Sequence, residues 1–115
     1  PMREVLARVA AGEADPACLA CGGVQKSATI SFGQALRPDV FEAACRAALG
    51  CDLLLVVGSS LQVQPAASLC QVAADNGARL VILNAEPTPY DDIADAVLRE
   101  PIGEVLPRLV AAAAV

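Results

Sequence analysis

The sequence predicts an α/β chain, half of a doubly wound parallel sheet with a small cysteine-bearing segment at its N-terminus. Three observations lead there. Leu53–Val57 is an unbroken apolar run that stops at Gly58. Such a run reads as a strand buried on both faces, which is the habit of parallel sheets covered by helices. A second short apolar run, Arg79–Leu83, follows an alanine-rich segment that Pro65 opens and Asn76–Gly77 closes. Strand, helix, strand, helix and short strand in that order require parallel pairing through right-handed crossovers.

Taken in order, Met2–Ala11 carries Val5, Leu6 and Val9 at helical spacing, and Gly12 ends the helix. Glu13–Pro16 is a turn, followed by Cys18 and Cys21 with Gly22 and Gly23. Lys26–Phe32 alternates, with Ala28, Ile30 and Phe32 on one face, and predicts a half-exposed strand ended by Gly33. Pro38 suits the first turn of the next helix. Phe41, Ala44, Cys45, Ala48 and Leu49 form its inner face, and Gly50 stops it. After the strand Leu53–Val57, a helix spans 65–76 and Gly77 ends it. The strand Arg79–Leu83 runs into Asn84–Pro89, whose two prolines forbid a helix. Asp91–Asp95 forms a helical turn, Ala96–Arg99 a third strand, and Pro101–Ala114 a helix bent or broken near Pro107. The apolar tract Leu109–Val115 is its alanine-rich end.

Composition narrows the function. The 115 residues are 56% hydrophobic and 18% charged, so the chain can bury a core. A net charge of −5 without a basic run argues against nucleic acid as the main ligand. No apolar run reaches the length of a membrane span, so no membrane partner is expected. Five cysteines, an odd number, fit a reduced, cytoplasmic chain better than a disulfide framework. There is no histidine, so imidazole base chemistry is absent from these residues, and no catalytic residue is assigned.

Two constellations carry chemistry. Gly58, Ser59 and Ser60 follow the first strand, where a missing side chain and two hydroxyls suit a phosphate or sugar. An ordinary serine-capped turn has the same residues. Asn84 and Glu86 follow the next strand, where dinucleotide folds hold a ribose. A turn residue and a solvated loop charge would look alike. Cys18 and Cys21 have the spacing of half a tetrahedral zinc site, and free thiols remain an alternative. Cys45, Cys51 and Cys70 read as small apolar side chains.

With these motifs in view, the chain resembles the carboxyl-terminal part of the sirtuins, the NAD-dependent protein lysine deacylases. Pro16-x-Cys18-x-x-Cys21-Gly22-Gly23 is similar to the second half of the family's four-cysteine zinc module. Thr29-Ile30-Ser31-Phe32-Gly33-Gln34 resembles its Val-Val-x-Phe-Gly-Glu strand. Gly58-Ser59-Ser60-Leu61-x-Val63-x-Pro65-Ala66 resembles its Gly-Thr-Ser-Leu-x-Val-x-Pro-Ala cofactor loop. Asn84-x-Glu86-x-Thr88-Pro89-x-Asp91 and Gly103-Glu104-Val105-Leu106-Pro107 follow in the family's order.

The resemblance implies a Rossmann-like fold in two parts. Residues 1–35 would be a partial, zinc-knuckle-like module with a substrate-side strand, and 36–115 an NAD-binding half domain. Gly58, Ser59 and Ser60 are implied to contact the phosphates and adjacent ribose of NAD, Asn84 and Glu86 the adenosine ribose, and Ile102 the adenine. Phe32 is implied to line an acyl-lysine tunnel, and Ile30, Gly33 and Val63 to grip a peptide backbone as an added strand. Cys18 and Cys21 are implied to hold zinc. In the family reaction the acyl oxygen attacks the nicotinamide ribose, nicotinamide leaves, and the products are free lysine and acylated ADP-ribose. The family's histidine, its first glycine-rich NAD segment, its Gln-Asn-x-Asp segment and its first cysteine pair lie upstream of the matched motifs and are not in this sequence. The expectation is therefore a fragment inactive by itself. Two other readings stay open: a non-catalytic nucleotide-binding α/β module, and a cysteine-pair protein that shares zinc between two chains. The truncated sheet also predicts self-association through an exposed edge. Ser27, Thr29-Ile30 and Gln34 depart from the family pattern and leave the acyl and peptide preference open.

Overall fold

A computed structural model of the chain describes residues 1–113. It divides into two compact units, Pro1–Ala35 and Leu36–Val115. The helical assignment of Ala114 and the end of the apolar tract at Val115 lie outside the described residues.

The first unit opens with α1, Met2–Ala10. Glu4 in its first turn and Arg8 in its last complement the helix dipole. Gly12 closes it at φ +98°, with its N–H on Val9 O at 3.0 Å. The apolar stripe covers little, since Leu6 and Val9 stay exposed. Order comes instead from Arg8, whose Nε donates to Glu13 Oε2 at 2.7 Å and whose Nη1 donates to Ala17 O at 2.9 Å. Pro16 is the one buried residue among these 35.

The strand expected at Lys26–Phe32 does not form. A strand needs a neighbour to take its alternating N–H and C=O groups, and this unit contains no other strand. The segment is irregular, with Ser27 Oγ and Thr29 Oγ1 sharing a 2.8 Å hydrogen bond. It ends in a turn: Gln34 N–H donates to Ser31 O, Ser31 N–H to Gln34 Oε1, and Gly33 takes φ +83°.

The second unit follows the predicted order: α2 (Pro38–Leu49), β1 (Leu53–Val57), α3 (Leu69–Asp75), β2 (Arg79–Leu83), β3 (Ala96–Leu98) and α4 (Ile102–Ala113). The helix expected from 65 begins as a 3-10 turn, Ala66–Ser68, where Ser68 Oγ donates to Pro65 O at 2.7 Å. Gly77 at φ +85° stops α3 in the left-handed conformation common at helix ends. Another 3-10 turn covers Asp91–Ile93. α4 continues through Pro107. The carbonyl that loses its helical donor there is that of Gly103, which is solvent-exposed.

The three strands are parallel in the order β1-β2-β3, with Leu53 beside Arg79 and Val57 beside Leu83. Consecutive strands laid down in one direction make one wing of a doubly wound sheet. β2 is central, and its Leu80, Ile82 and Leu83 have no exposed surface. Leu80 and Ile82 pack with Leu61, Ala67 and Cys70, while Ala48, Ala73 and Ala78 form a second cluster.

β1 corrects one expectation. Its run reads as buried on both faces, yet Leu53 and Leu55 are 55% and 39% exposed. Leu54 and Val56 turn to the core clusters, and alternate residues of a strand face opposite ways. β1 pairs only with β2, so one flank and the Leu53/Leu55 face stay open among the described residues. The cysteines expected to be small core side chains divide: Cys70 is fully buried, while Cys45 and Cys51 are half-buried.

Candidate functional site

The register of β1 and β2 brings the two polar turns together. The ladder continues one rung past Val57 and Leu83, with Gly58 N–H donating to Leu83 O at 2.9 Å. Ser59 and Ser60 therefore leave the sheet beside Asn84, at the carboxyl edge. Glu86 lies at the same end.

Gly58 is needed there on two counts. It takes φ +64°, and a Cβ at this position would lie 3.2 Å from Ile102 Cδ1. The first side chain of α4 thus rests against the turn, bringing Ile102 to Gly58. Ser59 Oγ then accepts the N–H of Leu61 at 3.3 Å. Leu61 has φ +54°, uncommon for a residue with a side chain. Its burial in the core cluster holds it there. Ser60 is left exposed and Ser59 half-buried. Ser59, Ser60, Leu61, Val63, Ala66 and Ala67 line a cavity of about 150 Å³.

The Asn84–Glu86 turn is pinned from several sides. Asn84 N–H donates to Leu98 O at 3.1 Å, extending the β2–β3 ladder. Asn84 Nδ2 donates to Glu86 O at 2.8 Å. Arg99 Nη1 reaches two carbonyls, Asn84 O at 2.8 Å and Glu86 O at 2.7 Å, while Nη2 pairs with Asp91. Asp91 also accepts the Thr88 hydroxyl at 2.7 Å and the Thr88 N–H at 3.1 Å. The Thr88 hydroxyl foremost, then the Thr88 amide and Arg99, hold the Asp91 carboxyl below its ordinary value. Gln64 Nε2 donates to Tyr90 OH at 3.3 Å, so the segment after the serines is tied to the segment after Glu86.

Arg99 and Leu61 escaped the sequence reading. The acceptors of Arg99 are distant in sequence, so no local pattern marks it. Nothing local marks Leu61 for a left-handed backbone.

In the first unit, Cys18 is half-buried and Cys21 exposed. Gly22 N–H donates to Cys18 O at 2.8 Å, and Cys18 N–H to Gly23 O at 2.9 Å. The amides of Ala20 and Cys21, then the Cys21 thiol, hold the Cys18 thiol below its ordinary value. A thiol so lowered ionises more readily than a free one. The pair lines a cleft of about 680 Å³ with Pro1, Met2 and Val5. Among the described residues no group of three or more Cys, Asp or Glu gathers. Two thiols by themselves fall short of the four donors a structural zinc needs. Phe32 is 92% exposed, Ile30 is exposed, and Gly33 forms the turn described above. Among the described residues, no helix is long and apolar enough to cross a membrane.

Comparison with known proteins bears on this geometry. NAD-dependent protein deacetylase 2 of Streptomyces coelicolor is 58% identical over 109 residues, which are 95% of this chain and 45% of that protein. The NAD-dependent protein deacetylase of Sulfolobus acidocaldarius is 46% identical over 107 residues, 93% of this chain and 41% of that protein. The chain thus spans less than half the length of these relatives. Sir2Tm bound to a propionylated peptide superposes with a TM-score of 0.75 at 29% identity, over 97% of this chain and 47% of that one. A structure described as the basis for the mechanism and regulation of Sir2 enzymes superposes at 0.76 with 38% identity, over 93% of this chain and 44% of that one. The profile of the Sir2 family matches residues 2–65, more than half of the sequence, and the chain belongs to that family.

Proposed function

We propose that this chain forms the cofactor-binding half of an NAD-dependent protein lysine deacylase. One observation carries the reading: a single rung of the sheet launches both the Gly58–Ser60 turn and the Asn84–Glu86 turn. Their chemistry differs as the two ends of an ADP-ribose unit do. Amides and hydroxyls at Ser59 and Ser60 suit phosphate oxygens and the adjacent ribose. Asn84 spends Nδ2 on Glu86 O, which leaves Oδ1 to accept from a ribose hydroxyl, with the Glu86 carboxylate as a second acceptor. Ile102, packed on Gly58, offers its backbone to the adenine.

Bound NAD supplies the ribose carbon that receives the acyl group. The residues of this chain bind and orient that cofactor. With no histidine in the sequence, they contribute no imidazole base. Ile30, Phe32, Gly33 and Val63 are proposed to serve an acyl-lysine peptide, and solved Sir2 relatives described with acylated peptides support that class of substrate. Cys18 and Cys21 are proposed to hold zinc as half of its ligand set, with residues 1–35 as that module and 36–115 as the NAD-binding half domain. The open flank of β1 with Leu53 and Leu55 supports self-association of the chain. A monomer by light scattering at high concentration would count against that last point.

Titration of the chain with ADP-ribose, followed by amide NMR, tests the main reading. Shifts concentrated at residues 58–61, 84–86 and 102 are expected. No binding at millimolar ligand overturns it.

A further inference from the structure

We infer that Arg99 is a positioning residue for ribose recognition, setting the Asn84–Glu86 turn in its receptive form before any ligand arrives. The inference rests on the dinucleotide reading above and names a residue that reading does not use.

The geometry has three parts. Two carbonyls, Asn84 O and Glu86 O, converge on Arg99 Nη1 at 2.8 and 2.7 Å. Converging carbonyl dipoles repel unless a donor lies between them, and a guanidinium presents several donors in a rigid fork. The other arm of the fork pairs with Asp91, which the Thr88 amide and hydroxyl fix in turn. The backbone just ahead of Arg99 holds the same turn, because Leu98 O accepts Asn84 N–H. Two successive residues at the end of β3 thus grip one turn, one through its carbonyl and one through its side chain. Glu86 O takes both Arg99 Nη1 and Asn84 Nδ2, so the arginine also fixes the carbonyl that orients the Asn84 amide.

Every bond in this network is made within the chain, so the cost of ordering the turn is met in folding and not in binding. Removing the fork frees the turn to wander, and ligand binding must then order it. Arg99 touches no ligand in this account. Its effect passes through Asn84 and Glu86, and so through the hydroxyls those residues accept.

The test compares wild type, Arg99→Ala, Arg99→Gln and Arg99→Lys by calorimetric titration with two ligands. One is ADP-ribose, and the other is its analogue lacking both hydroxyls on the adenosine ribose. For ADP-ribose, Arg99→Ala and Arg99→Gln are expected to bind roughly tenfold more weakly than wild type. Arg99→Lys, which keeps the charge without the planar fork, is expected to fall between. For the dideoxy analogue, all four are expected to bind alike. Equal weakening toward both ligands would show a general structural role and overturn the inference. So would ADP-ribose affinities within twofold of wild type. Failure of wild type to bind ADP-ribose overturns the dinucleotide reading itself. Should Arg99→Ala unfold, Arg99→Gln, nearer in size, carries the comparison.

Discussion

The two units of this chain are ordered by different means. Residues 36–115 hold a central strand in which Leu80, Ile82 and Leu83 are fully buried and Val81 is half-buried. Residues 1–35 bury one proline and rely on a single arginine fork. Both bear candidate ligand groups. In the second unit those groups hang from a hydrogen-bonded ladder, so strand register places them. In the first, the cysteines sit on a turn closed by its own amides, with little apolar packing behind it. A scaffold that folds on apolar area can present a rigid site unaided, while a 35-residue segment has too little core to do so.

The sharpest test of that contrast is a matched pair of truncations. Ile82→Ala in the centre of β2 is expected to cost about 2–5 kcal/mol in urea unfolding. Leu6→Ala, on the exposed stripe of α1, is expected to shift stability by less than about 0.5 kcal/mol. Similar losses from both would erase the distinction. Next in size is Gly58→Ala. The left-handed backbone sets a penalty of about 1–2 kcal/mol, and the Ile102 contact adds crowding. Weaker ADP-ribose binding should accompany the loss. A variant of full stability and full affinity would show that the turn does not depend on its glycine.

In the first unit, Cys18→Ser is expected to abolish zinc uptake, measured by metal analysis after gel filtration, and to leave the unfolding midpoint of the second unit unchanged. Uptake retained by the variant would remove Cys18 from the ligand set. The smallest effect is a pH response at Asp91. Its folded carboxyl titrates below the ordinary 3.8. Order contributed by its contacts is therefore present above that value and lost as pH falls through the lowered one. The protection factor of the Thr88 amide, which is its exchange relative to an unfolded chain at the same pH, should fall on that acid side, and Asp91→Asn should flatten the response. A protection factor that is constant down to pH 2 would show that the carboxylate does not order the turn.

Sequence pattern carried the second unit well and the first poorly. The order of elements from Pro38 to Ile102 followed from apolar runs, glycine stops and prolines, because each is a local cause. The serine and Asn/Glu turns were legible for the same reason, since a parallel strand pair must end both turns at one edge. Lys26–Phe32 misled, because alternation records which side chains could face a core and not whether a partner strand exists. LLLVV misled in the other direction: an all-apolar run hides the alternation that separates Leu54 and Val56 from Leu53 and Leu55. Arg99 was invisible because its three acceptors lie 8–15 residues away in sequence. They meet only when β3 pairs with β2.

The rung formed by Gly58 N–H and Leu83 O has a further consequence. Neighbouring strands in any sheet lie about 4.8 Å apart. The span between the hydroxyl-bearing bend and the amide-bearing bend is thus a constant of backbone geometry, like the pitch of a screw. Substitutions within either bend can retune what is gripped, but the gauge between the two jaws stays as the peptide ladder cut it.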